Sequence, residues 1–164
     1  MKTYLYIIGL LFSFALKAQV TPYEKSGKTK TATYQECVSW YRSFTNTYKE
    51  FVLDSIGRGD NGDMIYVCRY ADSDPNIESL KMLVNNNIHP GEPEGVDASM
   101  LLLKELVSDR RWHPILKRVG LTIICQYNVG GTSNRSCCSR ANQNGPVEVG
   151  FRGNAKNLDL NRDF

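Results

Sequence analysis

The stretch "SLKMLVNNNIHPGEPEGVDASMLLLKELV", residues 79–107, decides the fold. Its first part, 79–86, is an apolar run of the length and composition typical of a buried strand. Its last part, 95–107, repeats apolar residues at helical spacing and predicts a helix. A strand, a tight turn and a helix in direct succession indicate an α/β layered fold.

His89 and Glu92 come directly after this predicted strand, on either side of a Pro-Gly turn. Ligands of α/β proteins bind past the carboxyl ends of the strands, which is where this pair lies. The pattern H-x-x-E offers one imidazole nitrogen and one carboxylate oxygen, both of which bind Zn²⁺. The four letters alone are equally consistent with a solvated pair in a loop, and the flanking strand and helix favour a metal site.

The rest of the chain supplies further elements of an α/β fold. A capping-box pattern, "TYQE" at 33–36, precedes apolar residues at helical spacing and predicts a helix over Tyr34–Phe51. The stretch 55–63 is rich in turn-forming residues, and the apolar runs 64–71 and 121–128 predict two more strands. No internal repeat is present.

The N-terminal segment, residues 1–18, has the features of a secretory signal peptide. Lys2 provides a short positive region, Tyr4–Leu16 is apolar, and Ala18 is a small residue suited to cleavage. We therefore expect a secreted or periplasmic protein, with an uncleaved N-terminal anchor as the alternative. Residues 19–32 are polar and predict a flexible lead-in, and no other stretch is apolar enough to span a membrane.

Composition excludes a nucleic-acid-binding class. The 164 residues carry a formal charge of +3, and 41% of them are hydrophobic, which is typical of a globular chain. Without Lys2 and Lys17 of the predicted signal, 18 basic residues stand against 17 acidic ones. This balance gives no electrostatic basis for binding nucleic acid.

Five cysteines acquire a second interpretation if the protein is exported, because disulfides persist outside the cytosol. Cys68 and Cys125 lie within apolar runs and are predicted to be small buried side chains. Cys37, Cys137 and Cys138 are the better disulfide candidates. Since five is odd, at least one thiol is expected to stay free or to pair outside the chain.

The C-terminal stretch "GFRGNAKNLDLNRDF", residues 150–164, contains a second group of candidate site residues. Arg152 and Arg162 carry guanidinium groups that can bind a carboxylate through two hydrogen bonds. Asn161 carries an amide that both donates and accepts. By composition alone, these residues are also consistent with a solvated loop.

Taken together, "NNIHPGEPEGVDA" (86–98) and "RANQNGPVEVGFRGNAKNLDLNRDF" (140–164) closely resemble the N-terminal half of the M14 zinc carboxypeptidases. The resemblance runs from about residue 34 to residue 164. It implies a mixed, mostly parallel sheet flanked by helices, present in truncated form, with 33–164 as the N-terminal part of the catalytic domain. It also implies one Zn²⁺ ion and a peptide substrate with a free C-terminal carboxylate.

The resemblance further assigns roles to five residues. His89 and Glu92 would be the first two zinc ligands. Arg152 would polarise the scissile carbonyl and stabilise its oxyanion, and Asn161 and Arg162 would hold the terminal carboxylate of the substrate. The family also needs a second histidine ligand and a general-base glutamate, which no residue here matches by motif.

The other histidine, His113 in "RWHPI", is predicted to be structural or at the surface. The sequence therefore predicts a zinc metallocarboxypeptidase, represented by its N-terminal part and inactive in that form. Two alternatives remain open. One is a related amidase or deacylase that acts on acylated amino acids or cell-wall peptides, and the other is a non-catalytic peptide-binding pseudoenzyme.

Overall fold

The structure of the chain is a computed structural model that describes residues 19–72, 80–140 and 144–162. The predicted signal peptide, 1–18, lies outside the described residues. The α-helices are α1 (Pro22–Lys25), α2 (Tyr34–Thr47), α3 (Glu94–Ser108), α4 (His113–Leu116) and α5 (Val129–Ser133). The strands are β1 (Phe51–Arg58), β2 (Met64–Tyr70), β3 (Leu80–Asn85) and β4 (Val119–Ile124), and short 3-10 helices cover Arg110–Trp112 and Leu160–Arg162.

The four strands form one mixed sheet in the order β1-β2-β4-β3. The β1–β2 and β2–β4 pairs are antiparallel, and the β3–β4 pair is parallel. The predicted α/β fold with a mixed sheet and flanking helices is confirmed. Parallel pairing is less common among the described strands than expected, because a tight turn joins β1 to β2. The β3–α3–β4 connection has the crossover that a parallel pair requires.

Helix α2 confirms the predicted capping box. The Glu36 amide donates to the Thr33 hydroxyl at 3.2 Å, and the Thr33 amide donates to the Glu36 carboxylate at 2.9 Å. The buried face of α2 packs with that of α3 against the inner face of the sheet, forming one core with these buried side chains: Cys37, Trp40, Tyr41, Phe44, Cys68, Val96, Met100, Leu103, Leu121, Ile123 and Cys125.

The predicted end of the first long helix was wrong. Helix α2 ends at Thr47, because Tyr48 adopts an extended backbone, and Phe51 begins strand β1. Phe51 fitted the helical spacing because it does reach the same core, where its ring lies 5.3 Å from that of Phe44. The stretch 55–63, predicted to be rich in turns, contains the second half of β1, residues 55–58. The register of β1 shifts near Gly57, whose φ of 149° is one that glycine tolerates.

Residues 19–32 were expected to form a flexible lead-in, but the structure packs them against the domain. Helix α1 lies within this segment, and its Glu24 forms an ion pair with Lys104 of α3. The Ala32 amide donates to the buried carboxylate of Asp97 at 3.4 Å. Polar composition misled the prediction, because these polar groups find partners on α1 and α3 instead of remaining in solvent.

The burial of one cysteine, Cys37, was not predicted. Cys68 and Cys125 are buried, as expected, but Cys37 is also buried, on the inner face of α2. Burial raises the pKa of the Cys68 thiol to about 12 and raises that of Cys37 further. All five cysteines are free thiols in the structure. None of the helices in the described ranges is both long and apolar enough to cross a bilayer.

Candidate functional site

The loop between β3 and α3 is held by buried asparagines. The Asn86 amide donates to the Ser99 hydroxyl of α3 at 2.8 Å, and the Asn87 amide donates to the Thr132 hydroxyl of α5 at 2.8 Å. Asn87 has a φ of 67°, in the left-handed region that asparagine tolerates better than most residues. The loop therefore turns sharply at the end of β3 and presents the next residues from a fixed backbone.

Asn128, which is 1% exposed, joins the two stretches that the sequence analysis singled out. Its side-chain amide donates to the carbonyl oxygen of Ile88 at 3.1 Å and to that of Arg152 at 3.3 Å. Its carbonyl oxygen accepts from the Gly131 amide at 2.8 Å and caps α5. One buried side chain thus fixes the backbone next to His89 and the backbone of Arg152 relative to each other.

His89 is buried, and its two ring nitrogens have different surroundings. Nε2 lies 2.8 Å from the carboxylate oxygen Oδ1 of Asp159, which assigns the ring proton to Nε2 in the neutral imidazole. Nδ1 then carries a lone pair, and it faces Oε2 of Glu92 at 3.7 Å. In this tautomer both facing atoms are acceptors, and their separation is longer than a hydrogen bond.

Asp159 gathers three further hydrogen bonds around His89. It accepts from Nε and Nη2 of Arg152 at 3.1 and 2.9 Å and from the backbone amide of Asn161 at 3.1 Å. The hydrogen bond with His89 is the largest influence on the pKa of Asp159. Partial burial opposes it, and Arg152 and the Asn161 amide add to it, so the pKa lies far below the usual range of an aspartate. The carboxylate therefore stays charged.

Glu92 is held from its other side by Arg140. Nη1 of Arg140 contacts Oε1 of Glu92 at 2.5 Å, which leaves Oε2 to face His89. Partial burial raises the pKa of Glu92, but the hydrogen bond and charge of Arg140 outweigh it and lower the pKa overall. The stem of Arg140 lies across Gly91, where an added Cβ would come within 2.7 Å of its Cγ.

Asn161 and Arg162 lie on the last 3-10 helix, and Asn161 lines a cleft beside His89 and Glu92. The cleft has a volume of about 260 Å³ and is lined by His89, Glu92, Asn161 and the backbone turn before them. Arg162 is exposed, and its guanidinium donates to the carbonyl oxygen of Asn161 at 2.9 Å. None of the ion pairs among the described residues involves Arg162.

The structure brings together four of the five residues that the sequence analysis proposed for the site. Asp159 links His89 to Arg152, Glu92 faces His89, and Asn161 borders the cleft. The fifth, Arg162, is exposed and does not line the cleft. His113 lies elsewhere, exposed in α4 on the crossover after α3. Within the described ranges, no three or more His, Cys, Asp or Glu side chains are grouped so as to hold a metal ion by themselves.

Nδ1 of His89 and Oε2 of Glu92 are suited to be two of the ligands of a zinc ion. A neutral imidazole with a free Nδ1 and a carboxylate oxygen are ligands that Zn²⁺ accepts at about 2.0–2.2 Å each, so two such atoms 3.7 Å apart can share one ion. A carboxylate on the far nitrogen of a ligating histidine fixes its tautomer and orientation. Asp159 occupies this position for His89.

Three residues of the site were missed from sequence. Asp159 stands two residues before Asn161, and an acidic residue so near two arginines was a signal that could have been used. Arg140 and Asn128 gave no signal, because their contacts join residues 48 and 40 positions apart.

Replacing Asn128 with alanine is expected to lower the free energy of unfolding by about 2–4 kcal/mol. The change leaves the carbonyl oxygens of Ile88 and Arg152 and the amide of Gly131 without their partner. Urea unfolding followed by circular dichroism measures the loss. Asn134→Ala is the matched control, since Asn134 is exposed and its backbone bond to Gly131 survives. Equal losses in both variants would contradict the bridging role.

A family profile described as zinc carboxypeptidase (peptidase M14) matches residues 19–164 of this chain. No curated protein matches it.

Several solved structures share the fold at low identity. The metallo-carboxypeptidase from Burkholderia cenocepacia has 16% identity and a TM-score of 0.63, covering 81% of this chain and 33% of its own. The metallo-carboxypeptidase from Pseudomonas aeruginosa, in complex with (2-guanidinoethylmercapto)succinic acid, has 19% identity and a TM-score of 0.59. The match covers 80% of this chain and 31% of that structure. Carboxypeptidase A from Helicoverpa armigera has 15% identity and a TM-score of 0.57, and the match covers 63% of this chain and 26% of that structure. The chain therefore spans about a third of the length of these structures.

Proposed function

Since the chain belongs to the zinc carboxypeptidase family (peptidase M14), we propose that it forms part of a metallocarboxypeptidase that removes C-terminal residues from peptides. The observation that carries this proposal is the approach of Nδ1 of His89 to Oε2 of Glu92, which lie 3.7 Å apart. His89 and Glu92 would hold one Zn²⁺ ion. When bound, zinc lowers the pKa of a coordinated water and polarises a carbonyl oxygen.

The remaining residues of the site would bind and orient the substrate. Arg152 is half-exposed beside His89, where a guanidinium can stabilise negative charge on a peptide carbonyl oxygen. Asn161 and Arg162 would hold the free carboxylate at the end of the peptide, because an exposed guanidinium next to an amide suits a carboxylate. The succinic acid compound bound to the Pseudomonas aeruginosa relative supports a site for such groups.

The resemblance to this family implies two further catalytic residues, a second histidine ligand and a general-base glutamate, which no residue here matches by motif. We define the extended polypeptide as this chain joined to a region that supplies both. The test measures hydrolysis of a peptide with a free C-terminus, of the same peptide with an amidated C-terminus, and of an acylated amino acid. We expect no turnover by the chain alone, and chelator-sensitive turnover of the free peptide by the extended polypeptide.

The other outcomes of this test are informative. Chelator-sensitive turnover by the chain alone would show that the catalytic residues are wrongly assigned. Preference of the extended polypeptide for the acylated amino acid would replace the proposal by an amidase or deacylase. Zinc binding without turnover of any substrate would favour a peptide-binding pseudoenzyme.

Arg140→Ala is expected to weaken zinc binding by the chain about tenfold, because loss of an outer partner of a metal ligand typically costs 10–100-fold in affinity. Without Arg140, Glu92 can turn Oε2 away from His89. Zinc titration by calorimetry measures the change, and Arg140→Lys should give an intermediate affinity. Arg111→Ala, which removes an exposed guanidinium paired with Asp109, is the control. Tighter zinc binding by Arg140→Ala would show that Arg140 repels the metal instead of orienting its ligand.

Export remains part of the proposal, and it rests on the features of residues 1–18. We expect cleavage after Ala18, so that the mature protein begins at Gln19. N-terminal sequencing of the protein recovered outside the cytoplasm checks this. Recovery of a chain that still begins at Met1 would favour the uncleaved anchor.

A further inference from the structure

Two neighbouring cysteines differ from the other three in their surroundings. Cys137 and Cys138 are exposed, whereas Cys37, Cys68 and Cys125 are buried. The Sγ atoms of the exposed pair lie 2.7 Å apart, in direct contact. The proposed zinc and carboxylate chemistry makes no use of either thiol.

The backbone on both sides of the pair is fixed. We call residues 136–140 the strap. At its start, Ser136 exchanges two backbone hydrogen bonds with Val149, at 3.0 and 3.1 Å. After the pair, the Ser139 hydroxyl donates to the carbonyl oxygens of Val149 and Gly150 at 3.3 and 3.2 Å. The strap therefore holds both thiols at the surface, against each other and open to reagents in solution.

We propose that Cys137 and Cys138 form a redox-active dithiol, which a small-molecule disulfide such as oxidised glutathione converts to a disulfide between these two neighbouring residues. One protein thiolate attacks a glutathione sulfur, forming a mixed disulfide and releasing one glutathione thiolate. The other protein thiolate then attacks the protein sulfur of the mixed disulfide and releases the second glutathione. Two electrons and two protons pass from the dithiol to the oxidant.

Either thiol can make the first attack, because both are exposed and their Sγ atoms are in contact. Its neighbour then attacks the protein sulfur of the mixed disulfide.

The bridge is expected to be reversible. Neighbouring Cα atoms are about 3.80 Å apart, which is below the range of about 4.4–6.8 Å that disulfides normally span. Bridges outside the usual geometry are more easily reduced. The strap ends at Arg140, so this chemistry takes place two residues before the guanidinium that contacts Glu92. The proposal itself requires neither zinc nor catalysis.

The reduced full chain is treated with oxidised glutathione, and the remaining thiols are blocked with N-ethylmaleimide. The mass of the intact chain is measured, and the chain is then digested with trypsin. Trypsin cleaves after Arg135 and Arg140, so one peptide, 136–140, contains both cysteines and no others. We expect this peptide to lose the mass of two hydrogens and to carry neither glutathione nor maleimide, in a chain that stays monomeric. Brief treatment with reduced glutathione should restore two maleimide labels. The three buried thiols serve as internal controls, labelled only after unfolding.

The variants Cys137→Ser and Cys138→Ser make every outcome decisive. Each should accumulate one glutathione adduct on its remaining exposed thiol, which shows that the thiol is accessible. Any of three results for the wild-type peptide would overturn the proposal. It could keep two maleimide labels while these variants react, it could carry two glutathiones, or it could link two chains.

Discussion

Replacing His89 with alanine is expected to weaken zinc binding by the chain more than about 100-fold, beyond what the loss of an outer partner costs. Of the two proposed zinc ligands, His89 provides the imidazole nitrogen, Nδ1, while its Nε2 is hydrogen-bonded to Asp159. Without it, Glu92 alone faces the metal. Zinc titration followed by metal analysis after dialysis measures the loss.

Glu92→Gln should also lose zinc, because an amide oxygen keeps the shape of the side chain but not the negative charge. Two matched controls exist in the same chain. His113→Ala removes the other histidine, which is exposed in α4, and Glu94→Gln removes a carboxylate two residues further along, on the first turn of α3. Both controls should bind zinc as the unchanged chain does. If His89→Ala retains full affinity, or if His113→Ala loses it, the loop after β3 is not the metal site.

Sequence predicted best those features that depend on neighbours in the chain. The capping box at the start of α2 joins residues three apart, and the strand, turn and helix around His89 follow one another directly. Local patterns were weaker at strand β1, because turn-forming residues also occur where an edge strand carries a bulge. Helical spacing then extended α2 to Phe51, whose ring reaches the same core from a strand.

The sequence predicted the proposed metal ligands of the candidate site, but not the groups that orient these ligands. His89 and Glu92 are three residues apart, so one short motif contains both. Their partners, Asp159 and Arg140, are 70 and 48 residues away and meet them only through the tertiary fold. Asn128 is a similar case, since an asparagine in an apolar stretch does not show which two carbonyl groups it will join.

Arg152→Ala is expected to lower kcat of the extended polypeptide by about 10²–10³, as the loss of an oxyanion donor does, with zinc content unchanged. Arg162→Ala should instead raise KM by about tenfold or more, because a charge-assisted hydrogen bond is worth roughly 1.5–3 kcal/mol, and should leave kcat nearly unchanged. Steady-state kinetics on a peptide with a free C-terminus, measured beside metal content, separates the two roles.

The contact between Arg152 and Asp159 gives Arg152 a second possible role. Arg152 donates twice to the carboxylate that orients His89, so it could act on the metal ligand instead of on the substrate. Asp159→Asn separates these possibilities, because the amide retains the shape of the carboxylate but loses the charge that holds both partners. If Arg152 serves the substrate, Asp159→Asn should weaken zinc binding while Arg152→Ala does not. If both variants lose zinc to the same extent, Arg152 is a support for His89, and the oxyanion must be stabilised by another residue.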